Sequence, residues 1–408
     1  MHNRRPSKHL AAGVDTAFAE SVQSPNYSVV LPMLTLSYFL TRSATLPDTP
    51  PARTPPFAAA TSLGIIVFGK GSGSGSGCEA DSEPAAALGI DAAVLSSAPL
   101  AATRLFEVWH DADSIVSGRR DALYYCHNER LLFGRIALAE SAFNVGAEAN
   151  DEQEHRTALH RATADAYRQI FAVLDACGFP HLWRVWNFIP QINAESAGLE
   201  RYRQFNIARQ TAFSAAGRAA LDHVPAASAV GSSAGALAIY FFAGRTAPRA
   251  IENPRQLSAY HYPSDYGPRS PLFARASLIG LDDGDVLFVS GTASIVGHRS
   301  LHIGDASAQT VETLANIDAI LAAANQQTRR RKFARGDLAY KIYLRHATDL
   351  EPVRRMFEAW LGAVGPVVYV QADICRAELL VEIEASAGHN VDLCIEPDTE
   401  MSMEPQCA

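Results

Sequence analysis

Two glutamates lie two positions apart in the apolar segment LLVEIEA, residues 379–385. If this segment is a strand, Glu382 and Glu384 share one face with Leu380, and the intervening apolar residues occupy the other face. Two interpretations of the glutamate face remain open. It is either a solvated sheet edge or part of an apolar pocket in which one carboxyl group stays protonated near neutral pH. The second arrangement would supply a general acid.

Arginine and tyrosine residues recur in three further segments, at 200–209, 251–263 and 266–275. The arginine guanidinium binds carboxylates through two parallel N–H donors, and tyrosine adds a directional hydroxyl group. Any single arginine could equally form an ordinary surface salt bridge. Because the three segments adjoin proline and glycine turns, together they favour a loop-built pocket for a small dianion.

Three other patterns resemble functional sites but fail in their context. The sequence GSSAG at 231–235 has the spacing of a serine nucleophile elbow, yet an aromatic run follows where a helix is required. We therefore expect 224–244 to be buried strands joined by a tight turn. His298 and His302 are interpreted as ordinary histidines, because glycines flank them and no third metal ligand is evident. The glycine–serine repeat at 71–77 lacks the lysine of a phosphate-binding loop and is predicted to be a flexible loop.

The composition excludes several protein classes. The 408 residues include 35 Lys and Arg against 43 Asp and Glu, which gives a formal net charge of −8 and argues against a nucleic-acid partner. Hydrophobic residues at 48% and charged residues at 19% are typical of a globular protein, and the length suggests two or three domains. The six cysteines have no Cys-x-x-Cys pair, and no signal peptide or membrane span is evident. We therefore expect a cytoplasmic protein with reduced thiols and no membrane association.

The elements that must position these side chains follow from apolar periodicity. The order of elements in the C-terminal half is β-α-β-α-β-β, which predicts an α+β fold with helices packed on one sheet face. Predicted helices are 151–176, 308–324 and 351–361, and predicted strands are 62–69, 285–290, 338–344, 367–372 and 379–385. Predicted domains are a weakly ordered extension at 1–57, an N-terminal domain at 58–222, a C-terminal domain at 223–386 and a frayed acidic tail at 387–408.

Six separated blocks of the sequence resemble the chorismatase family, which comprises the FkbO-like enzymes and the 3-hydroxybenzoate synthases. The blocks are WNFIPQIN at 186–193, GLERYRQFNIAR at 198–209, IENPRQLSAYHYP at 251–263, YGPRSPLFARA at 266–276, LFVSGTASIVGH at 287–298 and QADICRAELLVEIEA at 371–385. The resemblance covers most of the chain between about residues 100 and 385. It leaves out the first fifty residues, the glycine–serine repeat and the acidic tail.

The resemblance implies a fold and a reaction. The fold would be RidA-like (YjgF-like), with tandem modules equivalent to a RidA trimer condensed into one chain, so that a monomer suffices. No metal and no organic cofactor are implied. The substrate would be chorismate, which the family cleaves to pyruvate and either 3-hydroxybenzoate or a dihydroxycyclohexadiene carboxylate.

The resemblance also implies roles for individual residues. The catalytic carboxylate would be Glu382, which would protonate the enolpyruvyl methylene of chorismate. The family's aromatising members carry a glycine and a cysteine that match Gly291 and Cys375, so 3-hydroxybenzoate is the expected product. Cys375 would then be a second catalytic residue, and Gly291 would form part of the substrate-binding pocket. Substrate-holding positions carry over to Tyr202, Arg209, Tyr260 and Arg275, with Arg201 and Arg255 as further candidates.

Three alternatives to this function remain. The first is the same enzyme class with the non-aromatic diol as its product. The second is a RidA-type enamine/imine deaminase, and the third is a non-catalytic protein that binds a small ligand on a RidA-like scaffold.

Overall fold

The computed structural model describes residues 34–41, 62–69, 88–95, 104–144, 157–219, 224–328, 330–362 and 365–395. These residues belong to one compact unit. The glycine–serine repeat at 71–77 lies outside the described residues, as does most of the predicted extension at 1–57.

The described helices are α1 (Ala158–Cys177), α2 (Arg201–Ala215), α3 (Ala306–Gln327) and α4 (Leu350–Leu361). Helix α1 begins where the Thr157 hydroxyl accepts the backbone N–H of His160, and it ends at Gly178, whose φ of 72° suits glycine. The three predicted helices are confirmed where described, with 151–156 outside the described residues. Helix α2 was not predicted, because the polar residues Gln204, Asn206 and Arg209 interrupt the apolar residues of its buried face.

The strands are numbered in chain order, and every predicted strand is present with ends shifted by up to three residues. The first half contains β1 (Thr35–Thr41), β2 (Ser62–Gly69), β3 (Leu88–Asp91), β4 (Val94–Leu95), β5 (Arg104–His110), β6 (Val116–Arg120), β7 (Leu123–His127), β8 (Leu131–Leu138), β9 (His181–Pro190), β10 (Glu195–Ser196) and β11 (Leu199–Glu200). The second half contains β12 (Ala226–Ser232), β13 (Leu237–Gly244), β14 (Arg249–Ile251), β15 (Ala276–Gly280), β16 (Asp285–Ala293), β17 (Ile295–Val296), β18 (Arg299–Ser300), β19 (Ala339–Leu344), β20 (Val367–Gln371), β21 (Val381–Ala387) and β22 (Asn390–Ile395).

Two of the sheets repeat one topology. The six-stranded sheet has the order β12-β9-β13-β8-β7-β6, and the seven-stranded sheet has the order β14-β15-β16-β21-β19-β20-β4. In each sheet, a pair of antiparallel strands is followed by a helix, a strand and a second helix. The next strand pairs in parallel with the strand between the helices, and the last strand inserts between that strand and the antiparallel pair. The central inserted strands are β13 and β21. This repeat agrees with the tandem modules that the resemblance implies, and the five-stranded sheet shares its central part, because β1, β5, β2 and β3 pair in the same order and directions as β16, β21, β19 and β20.

The repeated topology also indicates where the first module ends and the second begins. Strands β12 and β13 follow the predicted boundary at 222/223 but pair within the six-stranded sheet. They are joined at residues 233–236, so the tight turn predicted there is confirmed. We propose that the first module ends at Gly244 and that the second begins at Arg249.

The third sheet, of five strands in the order β22-β1-β5-β2-β3, uses segments expected to lack structure. Strand β22 lies within the predicted acidic tail, yet it pairs in parallel with β1. Strand β1 in turn lies within the predicted N-terminal extension. Both expectations differ from the structure because β1 is buried on both faces, with Leu36 and Tyr38 on one and Ser37 and Phe39 on the other, and β22 pairs along it while its side chains stay partly exposed.

The core consists of layers. The inner faces of all three sheets share one hydrophobic cluster, which contains Tyr38, Phe68, Trp109, Phe133, Trp186, Phe242 and Phe288. On the outer faces, α1 and α2 cover the six-stranded sheet, while α3 and α4 cover the seven-stranded sheet. The predicted α+β architecture, with helices on one face of mixed sheets, is therefore confirmed. Among the described helices, none is long and apolar enough to cross a membrane.

Candidate active site

A cavity of about 470 Å³ opens between the two modules, within the size range of small-molecule sites. The first module contributes the β10–β11 hairpin and the start of α2. The second contributes the 256–275 loop, β16, the 375–378 loop and β21. The polar residues lining it are Asn193, Glu195, Glu200, Tyr202, Arg203, Gln256, Tyr262, Asp265, Tyr266, Arg275, Cys375, Arg376, Glu378 and Glu382.

Glu382 reaches the cavity from β21, a central strand of the seven-stranded sheet. Glu382 and Glu384 are 3% and 5% exposed, so they belong to a buried surface and not to a solvated edge. Leu380, expected on the same face, packs instead with the α3–α4 side because the strand begins only at Val381. The prediction that Glu382 and Glu384 share one face of the strand was nevertheless correct.

A β-bulge makes room for the Glu382 carboxyl group. Between Val289 and Thr292 the register of β16 against β21 shifts, so Ser290 and Gly291 together oppose one residue of β21. A Cβ atom added at Gly291 would overlap Oε1 of Glu382, and it would lie 3.1 Å from Oγ of Ser228. The absence of a side chain at position 291 therefore allows the carboxyl group to approach the backbone.

Glu382 favours its protonated form. Burial, with a smaller contribution from Glu384, raises the pKa of Glu382 to about 8, although Arg184 acts in the opposite direction. Oε1 of Glu382 is buried and has no hydrogen-bond partner among the described residues. A carboxylate anion without donors is unfavourable in such surroundings, whereas a neutral carboxyl group can donate its proton to a ligand.

Glu384, two residues away, is held in the opposite protonation state. Burial alone would raise the pKa of Glu384, but the charges of Lys341 and Arg184 lower it to about 2. Its donors are Arg184 Nη2 at 2.7 Å, Trp186 Nε1 at 2.9 Å, Ser228 Oγ at 2.6 Å and Lys341 Nζ at 2.9 Å. Lys341 also forms an ion pair with Glu107. The two glutamates therefore differ in charge at neutral pH, which is the separation expected of an acid and its electrostatic partner.

Cys375 and Tyr202 line the cavity beside Glu382. Burial, followed by the charge of Glu382, raises the pKa of the Cys375 thiol to about 12. Burial, followed by Cys375, raises the pKa of the Tyr202 hydroxyl well above its usual value. Both groups are neutral at physiological pH, so Cys375 shapes the cavity as a thiol and does not supply a thiolate nucleophile.

Three arginines line the cavity: Arg203, which pairs with Glu200, and Arg275 and Arg376, which are held by further contacts. Arg275 donates from Nη2 to the Tyr262 hydroxyl at 2.9 Å and to the Leu257 carbonyl at 2.7 Å. Arg376 lies over the Tyr266 ring at 4.0 Å and donates from Nη1 to the His298 carbonyl at 2.9 Å. Nε of Arg275 and Nη2 of Arg376 are buried without a hydrogen-bond partner in the described part of the chain. These fixed guanidinium groups suit the binding of anionic ligand groups.

The structure does not bring all the expected residues to this cavity. Tyr202, Arg275, Gly291, Cys375 and Glu382 line it together. Four other candidates are absent from the described lining, and each has structural contacts elsewhere. Arg209 donates to the Tyr167 hydroxyl at 2.7 Å, Tyr260 packs against the α1–α2 cluster, Arg201 pairs with Glu140, and Arg255 pairs with Glu312 at 2.5 Å.

Several cavity residues were missed by the sequence reasoning. Tyr262, Tyr266 and Arg376 lie within the quoted blocks, next to or near the residues that were chosen. The partners of Glu384 gave a different signal, since Arg184 and Lys341 are single charged residues in otherwise apolar strands. A charge in such a position is buried and paired far more often than it is free.

The chain is similar in sequence to proteins of known family. Residues 107–243 match the family model described as "Chorismatase FkbO/Hyg5-like, N-terminal". The chain is 37% identical over 287 residues to a chorismatase of Streptomyces hygroscopicus, covering 68% of this chain and 78% of that protein. It is also 37% identical over 290 residues to a 3-hydroxybenzoate synthase of the same species, with coverage of 68% and 80%.

The fold agrees with these matches. A crystal structure of a chorismatase superimposes with a TM-score of 0.71 at 30% sequence identity, and the match covers 88% of this chain and all of that one. The expected fold class and the resemblance seen in the six sequence blocks are both confirmed. The chain is an enzyme that belongs to the chorismatase family.

Proposed function

We propose that this enzyme converts chorismate to 3-hydroxybenzoate and pyruvate, with Glu382 as the general acid. The observation that carries the proposal is a buried carboxyl group, its Oε1 without a hydrogen-bond partner in the described residues, on the wall of a cavity that Arg275 and Arg376 also line. The terminal methylene of the enolpyruvyl ether is electron-rich. Its protonation by Glu382 produces an oxocarbenium ion, the step that is slow in water.

Arg275 and Arg376 hold the two carboxylates of chorismate in this proposal. Both line the cavity, and each is immobilised by hydrogen bonds or by a tyrosine ring. Arg209, expected in this role from the resemblance, is instead engaged with Tyr167 and the Leu272 carbonyl. Fixed binding of both carboxylates orients the methylene toward Glu382 and lowers the entropic part of the barrier.

The reaction balances without water. The ring 4-hydroxyl oxygen attacks the oxocarbenium carbon and loses its proton. The ring C4–O bond then breaks as the C3 proton leaves, which makes the ring aromatic. The resulting hemiketal separates into 3-hydroxybenzoate and pyruvate, and one of the released protons restores Glu382.

Gly291 and Cys375 support the aromatic product. Gly291 allows Glu382 to lie against the bulge, and the neutral Cys375 thiol occupies the wall beside it. Together they leave the ring hydroxyl, and not bulk water, as the nucleophile that captures the cation. Identity at 37% to both a chorismatase and a 3-hydroxybenzoate synthase does not separate the two products, so this proposal depends on these two residues.

The substitution Cys375→Val tests the product assignment. We expect the ratio of products to shift toward the dihydroxycyclohexadiene carboxylate, because a branched apolar group changes the wall against which the ring lies. Ultraviolet and mass detection of the products quantifies the ratio. An unchanged ratio would show that the thiol does not determine the product.

The pH dependence tests the protonation state of Glu382. Because its pKa is about 8 and the protonated form is the active one, we expect kcat/KM to fall above pH 8 by tenfold per pH unit. From pH 6 to 7 no titration of Glu382 limits the rate. An alkaline limb that is missing up to pH 10 would contradict the role of Glu382 as the acid.

One incubation of the purified protein with chorismate tests the function as a whole. Equal amounts of pyruvate and 3-hydroxybenzoate are expected. The diol with pyruvate would indicate the hydrolytic reaction, and binding without turnover would indicate a ligand-binding protein. Ammonia release from a dehydroamino acid would instead indicate a deaminase.

We also propose that one chain is sufficient for activity. The cavity walls come from both modules of the same chain, from Asn193 in the first to Glu382 in the second. An active monomer in solution is therefore expected.

A further inference from the structure

A buried cluster of four charged side chains adjoins Glu382 without lining the cavity. Its members are Glu107, Arg184, Lys341 and Glu384, each at most 5% exposed. They come from β5, β9, β19 and β21, so all three sheets contribute. Two positive and two negative charges balance formally. Because buried ion pairs add little stability over an apolar core, the position of this cluster next to the proposed acid suggests a role in the reaction.

The two glutamates of β21 differ in the hydrogen bonds that their carboxyl groups accept. Glu384 accepts four hydrogen bonds of 2.6 to 2.9 Å, which fix it as a carboxylate. Oε1 of Glu382 has no such donor among the described residues. Ser228 connects the two sites, since its hydroxyl donates to Glu384 at 2.6 Å and accepts the Gly291 N–H at 3.1 Å.

We propose that Glu384 is a positioning residue, whose fixed negative charge keeps the neighbouring Glu382 in the protonated form that the reaction needs. Arg184 and Lys341 hold this charge in place, and Ser228 ties it to the bulge beneath Glu382. The inference rests on the proposed function of Glu382 and adds a second cause, beside burial, for the retention of its proton at neutral pH. It also explains why a carboxylate, and not an apolar side chain, occupies position 384.

Other titratable groups face this pair from each packed element. They are Tyr38 on β1, Glu107 on β5, Arg184 on β9, Tyr202 on α2, Lys341 and Tyr343 on β19, and Cys375 with Arg376 in the adjoining loop. The tyrosines and the cysteine are neutral at physiological pH. Of the charged groups, Glu384 raises the pKa of Glu382 and Arg184 lowers it, so the sign of the net effect agrees with the proposal.

The test measures the titration of Glu382 without using activity. The difference in unfolding free energy between a protein and its Glu382→Gln variant changes with pH until Glu382 has ionised in the folded state. The pH at which this difference levels off is compared in three backgrounds: the natural sequence, Glu384→Gln, and the charge-balanced double variant Glu384→Gln with Lys341→Met. We expect a downward shift of about one pH unit or more in both variants. The double variant keeps the test valid if Glu384→Gln alone does not fold.

Two further variants test the direction of the titration shift and provide a control. Arg184→Met removes the opposing positive charge and should shift the titration upward. Glu312→Gln removes a carboxylate outside the cavity and should leave it unchanged. If neither Glu384 variant shifts the titration by more than about 0.3 pH unit, close to no electrostatic coupling, the inference is overturned.

The alkaline limb of kcat/KM, measured in the same variants, separates the inference from the proposed function. A limb that shifts with the titration supports both. A titration that shifts while the limb stays in place supports the electrostatic role of Glu384 and overturns the assignment of Glu382 as the acid.

Discussion

Replacing Glu382 with glutamine lowers pyruvate release from chorismate by about 1,000-fold. The amide has nearly the same shape as the protonated carboxyl group but cannot donate a proton of comparable acidity, and loss of a general acid removes roughly 10²- to 10⁴-fold in rate. Because the shape and the neutral charge are preserved, KM for chorismate is expected to change little. Steady-state kinetics with coupled detection of pyruvate measures both parameters.

The same variant should be more stable than the natural protein at neutral and alkaline pH. In the unfolded chain Glu382 ionises near its ordinary pKa of about 4.3, whereas in the folded protein its pKa is about 8. The stability that Glu382 contributes is therefore complete below about pH 4.3 and is lost progressively as the pH rises to 8. Glutamine does not titrate, so the Tm advantage of the variant should grow between pH 5 and pH 8.

The matched control is Glu312→Gln, a change of the same type in α3 outside the cavity. It is expected to retain activity, since Glu312 pairs with Arg255 and does not line the site in the described structure. Near-normal activity of Glu382→Gln would show that another group protonates the substrate.

Replacing Lys341 with methionine destabilises the protein by about 3–5 kcal/mol. Lys341 is 2% exposed and is the shared partner of Glu107 and Glu384, so its removal leaves a negative charge uncompensated in the core. Denaturant-induced unfolding at pH 7 measures the loss. The effect should diminish toward low pH, where protonation of Glu384 relieves the excess charge.

A second substitution distinguishes charge imbalance from lost packing. Adding Glu107→Gln to Lys341→Met restores formal neutrality and should recover a large part of the stability. If the double variant is as unstable as Lys341→Met, the cause is packing around the lysine stem. Arg354→Met, which removes solvent-exposed ion pairs on α4, is the surface control and should have little effect.

The sequence predicted the structure best where a single apolar periodicity extends over a whole strand or helix. The alternation around Glu382 and Glu384 predicted their shared face, and the apolar stripe of α1 predicted a helix there. Periodicity cannot show how deeply a strand lies in its sheet. For that reason the same pattern was compatible with a solvated edge and with a buried acid, and only the position of β21 between β16 and β19 decides between them.

The loops limited what could be predicted about the ligand-binding side chains. In the segment 259–263, Tyr260 and Tyr262 are equally plausible by residue type, yet only Tyr262 lines the cavity in the described structure. A loop has no repeating direction, so its side chains are aimed by tertiary contacts such as the hydrogen bond from Arg275 to Tyr262. Similarly, Arg209 follows Tyr202 on one helix but turns toward the α1 side.

The repeated topology of the two modules has a consequence for binding stoichiometry. The central strand β21 presents Glu382, Glu384 and Ser386 to the interior, whereas its counterpart β13 presents Ala238, Tyr240 and Phe242 to the shared core. The central strand of the second module thus presents two carboxyl groups, whereas that of the first contributes only to the core. Calorimetric titration with a non-reactive analogue should therefore saturate at one equivalent per chain.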